Sequence, residues 1–237
     1  MIKKQTENGL IDFPFYSTIA LENFLARNNC WKANTNVLDV GTGMGAALHY
    51  FRNANPEVRF VGSDHNEEAV AIAQTLAHER GVSGIKFETA DWTNLPDSYL
   101  NRFDGIVSIH ALCCFKRFEV ALDPLIALNP RWIAINSLFY DGPLDVLIHI
   151  REHNKPELHD DNPDGDFNIF SLPKIREHTA KHGYKLSSEP FYPQDVIPPK
   201  QDRSRGTFTM STELHERTQF SGPVYLPWHF VLLEKDE

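Results

Sequence analysis

The chain has 237 residues, 41% hydrophobic and 23% charged, which is enough apolar side chain for one sizeable core. The 32 Asp and Glu outnumber the 23 Lys and Arg, giving a net charge of −9, and no basic stripe offsets it; nucleic-acid backbones and anionic membranes, which are gripped through Lys and Arg, are therefore excluded as main partners. Three cysteines with an adjacent pair (Cys30, Cys113, Cys114) make no disulfide framework. No run reaches the roughly 18 to 20 apolar residues of a membrane span, so a reducing cytoplasm is the expected location.

In chain order, residues 17–29 predict a helix with Ile19, Leu21, Phe24 and Leu25 on one face, Ser17 as its N-cap and Asn28-Asn29 as its stop. The segment NVLDVGTGMGAAL reads as a buried strand, a glycine turn and a helix that ends before Pro56. VRFVGSD follows as a second strand, NEEAVAIAQTLAHERG as a helix closed by Gly81, and IKFETADW as a third strand. FDGIVSIHA is a fourth strand, FKRFEVALDPLIALN a helix and RWIAINSLFY a fifth strand. Strands alternating with helices at this spacing predict an α/β fold with a doubly wound, mostly parallel sheet.

Beyond the fifth strand the pattern changes. Within residues 141–171, PLDVLIHIREH suggests a helix and HDDNPDGD a loop; LPKIREHTAKHGY is then a helix stopped by Gly183. A sixth strand near SSEPFY, a hairpin from GTFTMST and ERTQF, and a closing strand HFVLLEK complete the chain. The expectation is one domain over residues 1–237, with 141–171 and 193–228 as inserted lid segments at the ligand-binding end of the sheet.

The glycine turn, Asp39-Val40-Gly41-Thr42-Gly43-Met44-Gly45, brings backbone close to a ligand beside the first strand. Gly41, Gly43 and Ala46 also satisfy the dinucleotide pattern G-x-G-x-x-G/A, with Asp64 at the distance of a ribose-binding acid, so a nicotinamide-dependent oxidoreductase is one reading. Asp39 favours another. Its negative charge near the turn would repel a pyrophosphate but attract the ammonium and sulfonium of S-adenosylmethionine.

At these residues the chain resembles the class I S-adenosylmethionine-dependent methyltransferases. VLDVGTGMG matches the first motif of that family, D-x-G-x-G-x-G. Asp64 in VGSD matches its ribose-binding acid, Asp91 in TADW its adenine contact, and FDGIVSIHALCCF its fourth-strand motif. The resemblance implies a Rossmann-like methyltransferase fold with a seven-stranded sheet and S-adenosylmethionine as cofactor. It implies a cofactor site of Tyr16, Asp39, Gly41, Gly43, Gly45, Asp64, His65, Asp91, Trp92 and Ile109. Each residue also has a plain structural reading: Asp64 or Asp91 as a cap, Trp92 or Tyr16 as packing.

His110, directly after the fourth strand, is the expected general base, with His149 and His153 of the first insertion as rivals, because an imidazole accepts protons near neutral pH. His149, Glu152 and His153 also fit the H-x-x-E-H pattern of zinc peptidases if that segment is helical. The Asp160–Gly165 stretch begins like a calcium loop, but Ser171 stands where a bidentate Glu is needed. Some small-molecule methyltransferases hold a divalent metal through an acid after the fourth strand. That place reads Ile109-His110-Ala111, so no metal is expected in the site. Cys113 and Cys114 lack the Pro-Cys pair of the thiolate methylases and are expected buried or half-buried, and the N-P-P-aromatic motif of the adenine methylases is absent. The expected activity is methyl transfer to an oxygen or nitrogen of a small acceptor such as a sugar or secondary metabolite; a non-catalytic binding subunit of the same fold is the alternative to an enzyme.

Overall fold

The computed structural model describes residues 11–12, 14–151, 164–192, 207–221 and 224–236. Its helices are α1 (Tyr16–Arg27), α2 (Ala46–Ala54), α3 (Glu67–Glu79), α4 (Phe118–Ala127) and α5 (Leu172–Ala180). The first five strands are β1 (Asn36–Val40), β2 (Arg59–Asp64), β3 (Ile85–Thr89), β4 (Gly105–Ile109) and β5 (Trp132–Tyr140). Next come β6 (His149–Arg151), β7 (Asp164–Asp166), β8 (Phe170–Ser171) and β9 (Tyr184–Phe191), then β10 (Thr207–Met210), β11 (Thr218–Ser221) and β12 (Trp228–Lys235).

The main sheet runs β3-β2-β1-β4-β5-β12-β9, with two-residue β8 added beside β5. β1 to β5 pair in parallel, and β12 runs antiparallel to both neighbours. This is the expected doubly wound arrangement, with β8 as an eighth strand. The reason lies in the strands themselves: β4 and β5 are almost continuously apolar, and such strands are stable only when both faces are covered. Val37, Val107, Ala134 and Leu232 pack toward Leu21 and Leu25 of α1. Leu38, Ile106, Ile133 and Val231 pack on the other side, against Leu122 and Leu125 of α4 and Ile175 of α5. No helix among the described residues is long and apolar enough to cross a membrane.

Three local expectations are corrected. Phe15, with no capping side chain, occupies the N-cap of α1, so Ser17 lies inside the helix. Cys113 is buried but Cys114 is exposed. PLDVLIHIREH forms no helix over its described part: Val146 bridges Ile169 and β6 pairs antiparallel with β7. Val146, Ile148 and Ile150 repeat every second residue, the period of a strand, and β-branched side chains favour it. Ile148 and Ile150 pack onto Phe167, Ile169 and Trp228, so the described insertion adds a small core of its own over β5 and β12. The hairpin in the last third forms as β10 and β11, with the rings of Phe208 and Phe220 stacked 5.6 Å apart.

Candidate active site

The crevice forms where β1 and β4 end beside the glycine turn. The backbone N–H groups of Gly41 and Thr42 donate to the Ser63 carbonyl at 2.9 and 3.0 Å, tying the turn to β2. Gly41 and Gly45 have φ of +72° and +81°; a Cβ there would lie 2.9 Å from Ala111 and 2.5 Å from the Phe87 ring. Both are therefore required by chain conformation and packing. Gly43 differs, because a Cβ there meets nothing within 4 Å. Its face of the turn is the open one.

Asp39 is 2% exposed, and its Oδ2 accepts from the Thr42 hydroxyl at 2.7 Å. Burial pushes its carboxyl up to about 7; the Thr42 hydrogen bond acts against this, and the charge of Asp64 adds to it. No cation among the described residues pairs with Asp39. A desolvated carboxylate lacking a counter-cation beside an open glycine turn fits the ammonium of S-adenosylmethionine and disfavours a pyrophosphate.

Asp64 ends β2 and does not cap α3; Asn66 does that, accepting from Ala69 N–H at 3.0 Å. The Asp64 carboxylate instead accepts from the backbone N–H of Gly43 at 2.8 Å and of Asn66 at 3.0 Å. It thus braces the glycine turn from the neighbouring strand. The exposed His65 ring lies 3.4 Å from Asp64 Oδ1. Asp91 is exposed and caps the turn after β3, its Oδ1 accepting from the Thr93 N–H and hydroxyl at 2.8 and 2.9 Å, bonds that hold its carboxyl below the usual range. Trp92 is buried: its indole N–H donates to the Ala121 carbonyl at 2.7 Å and its ring lies edge-on to Phe115. Even so, the ring edge is 3.8 Å from the Cβ position at Gly41, so Trp92 backs the turn from beneath.

Ile109 ends β4, and His110 follows with φ +59°, a left-handed conformation that costs a non-glycine residue energy and is held by an N–H bond to the Asn136 carbonyl at 2.8 Å. The His110 ring lies 4.4 Å from that of Trp228. Burial lowers its pKa from 6.5 to about 4, with the Asn136 side chain acting the other way. The imidazole is thus neutral at pH 7. Asn136 donates through Nδ2 to the His229 carbonyl at 3.1 Å, and its Oδ1 is buried with no hydrogen-bond partner among the described residues.

Tyr16 is exposed and stacks on Phe191 at 5.8 Å, on the rim of a cleft of about 320 Å³ that Ile19, Asn23, Tyr192 and Phe230 also line. His149 lies in strand β6, exposed, with Nδ1 3.3 Å from Asp166 Oδ1. The helical H-x-x-E-H face is therefore absent at its first position, and His153 lies outside the described residues. Thr42 and Asn136 join the site through the fold. An Asn within the apolar run RWIAINSLFY is a legible signal, since a buried amide needs a reason; Thr42 carries none of its own.

Residues 31–159 match the methyltransferase domain family. The release factor glutamine methyltransferase of Aliivibrio fischeri is 28% identical over 127 residues, 52% of this chain and 41% of that protein. The chain thus spans about two fifths of the length of this curated relative. Among solved structures, magnesium protoporphyrin IX methyltransferase from Synechocystis with bound S-adenosylmethionine superposes with a TM-score of 0.55 at 15% identity, covering 93% of this chain and 78% of that one. A chain from the complex of a Haloferax volcanii methyltransferase with the Trm112 activator gives a TM-score of 0.62 at 17% identity, covering 98% and 95%. These likenesses establish the fold, while the domain match spans more than half of the sequence and includes the buried Asp39 and its glycine turn. The chain belongs to the methyltransferase domain family, with S-adenosylmethionine as its cofactor.

Proposed function

We propose that this protein transfers the methyl group of S-adenosylmethionine to a hydroxyl or amine of a small acceptor, such as a sugar or secondary metabolite, bound over His110. The observation that carries the reading is the strained, desolvated His110 imidazole at the end of β4, beside the crevice and against Trp228. Asp39 would hold the cofactor's ammonium, Gly43 would leave room for it, and Asp64 would accept from its ribose once the turn adjusts. His65, Asp91 and Ile109 would flank the adenosine, and Tyr16 would close one side. The cofactor supplies an activated methyl group for in-line attack, so the protein's own work is positioning and removal of one proton.

His110 suits that proton. A hydroxyl becomes strongly acidic as it is alkylated, so even an imidazole with pKa near 4 takes the proton, and at neutral pH the ring is always free to receive it. The described parts of 141–171 and 193–228 build the acceptor wall in this reading, with Phe167 edge-on to Trp228 at 6.0 Å. The 28% identical relative is named for a protein glutamine. A protein acceptor is accordingly the competing outcome.

Comparing metabolites from cells with and without the gene should show one small species heavier by a CH2 group. Once it is identified, His110→Ala should lower turnover about 10²-fold with little change in cofactor affinity. Wild-type turnover at saturating cofactor should fall only as pH drops through about 4. Methylation confined to a protein would overturn the acceptor class. Unchanged turnover in His110→Ala would remove the base.

A further inference from the structure

Away from the crevice, α4 and α5 bring together three metal-ligating side chains that methyl transfer does not use. His178 lies in the last turn of α5, and His182 follows four residues later in the turn that ends the helix, so both imidazoles project to the same side. Their ring centroids are 5.2 Å apart. Asp123 of α4 faces them, its Oδ1 2.6 Å from His178 Nε2. One nitrogen from each ring and one Asp123 oxygen all lie within 4.8 Å of one another.

We propose that Asp123, His178 and His182 bind a divalent transition-metal ion of the zinc type. Two imidazoles and one carboxylate are a borderline donor set that suits zinc, cobalt or nickel, whereas magnesium and calcium take oxygen ligands. Zinc bonds of roughly 2.0 to 2.1 Å around a tetrahedral ion set its donors about 3.3 Å apart, so Asp123 Oδ1 and His178 Nε2, now 2.6 Å apart, must open to admit the ion while all three donors settle near that spacing. Asp123 and His182 are exposed and free to shift to that spacing, while the half-buried His178 ring is held edge-on by Phe118 at 5.5 Å. The ion would replace the hydrogen bond between Asp123 and His178. A solvent-open cleft lined by Glu119, Lys174, Glu177 and His178 adjoins the cluster and leaves a fourth coordination position to water. Three protein ligands with one water match an open zinc site. The ion would staple α4 to the end of α5, from which the chain enters β9 at Tyr184, so its effect falls on the stability of the helical layer.

The test uses the full chain without an affinity tag, titrated with zinc chloride in a weakly chelating buffer and followed by calorimetry and thermal unfolding. One zinc per chain should bind saturably, and about 100-fold excess over Kd should raise Tm by roughly 5 to 10 °C, while magnesium leaves it unchanged. His182→Ala, at an exposed position, should weaken zinc binding at least about tenfold, the scale lost when even an outer-shell partner of a metal ligand is removed. Asp123→Asn should do the same and decides the matter if His182→Ala does not fold. No saturable zinc binding would overturn the site, as would binding of unchanged affinity in the folded variant.

Discussion

The glycine-turn crevice and the His110 end of the sheet, proposed to hold cofactor and acceptor, are built on different length scales. In the crevice the decisive contacts are short in sequence: Thr42 to Asp39 spans three residues, and Gly43 to Asp64 spans 21. At the proposed acceptor end, His110 meets Asn136 of β5 and Trp228 of β12, and Asn136 reaches 93 residues along the chain to His229. The first region is a turn braced by its next strand. The second is a wall assembled from four separated segments, including the inserted β6–β7 pair. A pocket of the first kind survives large changes elsewhere in the chain, whereas the second is remade by any insertion, so cofactor and acceptor specificity can vary separately on one sheet.

The largest effect expected from this contrast lies at Asp39. Its folded pKa of about 7 stands above the ordinary 3.8, so the native state favours the protonated form. That contribution to stability is complete below pH 4 and is lost as pH rises through 7. Asp39→Asn removes the penalty and should stabilise the unliganded protein by about 2 to 4 kcal/mol at pH 8, with the gain vanishing toward pH 4. The same variant should bind S-adenosylmethionine at least about tenfold more weakly, since a charged hydrogen bond is worth about 1.5 to 3 kcal/mol. Urea unfolding at pH 5 and pH 8 checks the first expectation and calorimetry the second. A stability difference independent of pH would show that Asp39 is ionised throughout.

The glycines divide next. Gly45→Ala places a methyl group against Phe87 in a left-handed conformation and should destabilise the fold by roughly 2 to 4 kcal/mol. Gly43→Ala, with open space around it, should cost only about 1 to 2 kcal/mol of stability yet impair cofactor binding. Equal loss of stability in both would mean that the open face is illusory. Asp64→Ala should weaken cofactor binding by about 1.5 to 3 kcal/mol; Asp64→Asn, whose single amide oxygen cannot accept at both places, should recover only part of it. Unchanged affinity in a folded Asp64→Ala protein would confine Asp64 to bracing the turn.

The smallest expected effect is at His149. Exposed and facing Asp166, it should give His149→Ala stability within about 0.5 kcal/mol of wild type and unaltered turnover. Turnover lost in this variant and retained in His110→Ala would move the base into the insertion and erase the division between the two regions.

The amino-acid sequence by itself determined the parallel half of the sheet, the glycine turn and the acid at the end of β2, because alternating apolar runs and turn residues act over a few neighbours and leave the same mark wherever they occur. It misassigned the segment after Asp141 as helix, since a Val-Leu-Ile run suits either state and only the pairing of Val146 with Ile169 and of β6 with β7 settles it. Only the tertiary structure decided that Asp39 is desolvated with no counter-cation among the described residues, and that Asp91 caps a turn while Trp92 backs the glycines. The tilted contact of His110 with Trp228 and the meeting of Asp123 with His178 and His182 were decided there too. Burial and juxtaposition depend on segments far apart in the sequence, as His110 and Trp228 are, and no local pattern encodes which of them the folded chain brings together.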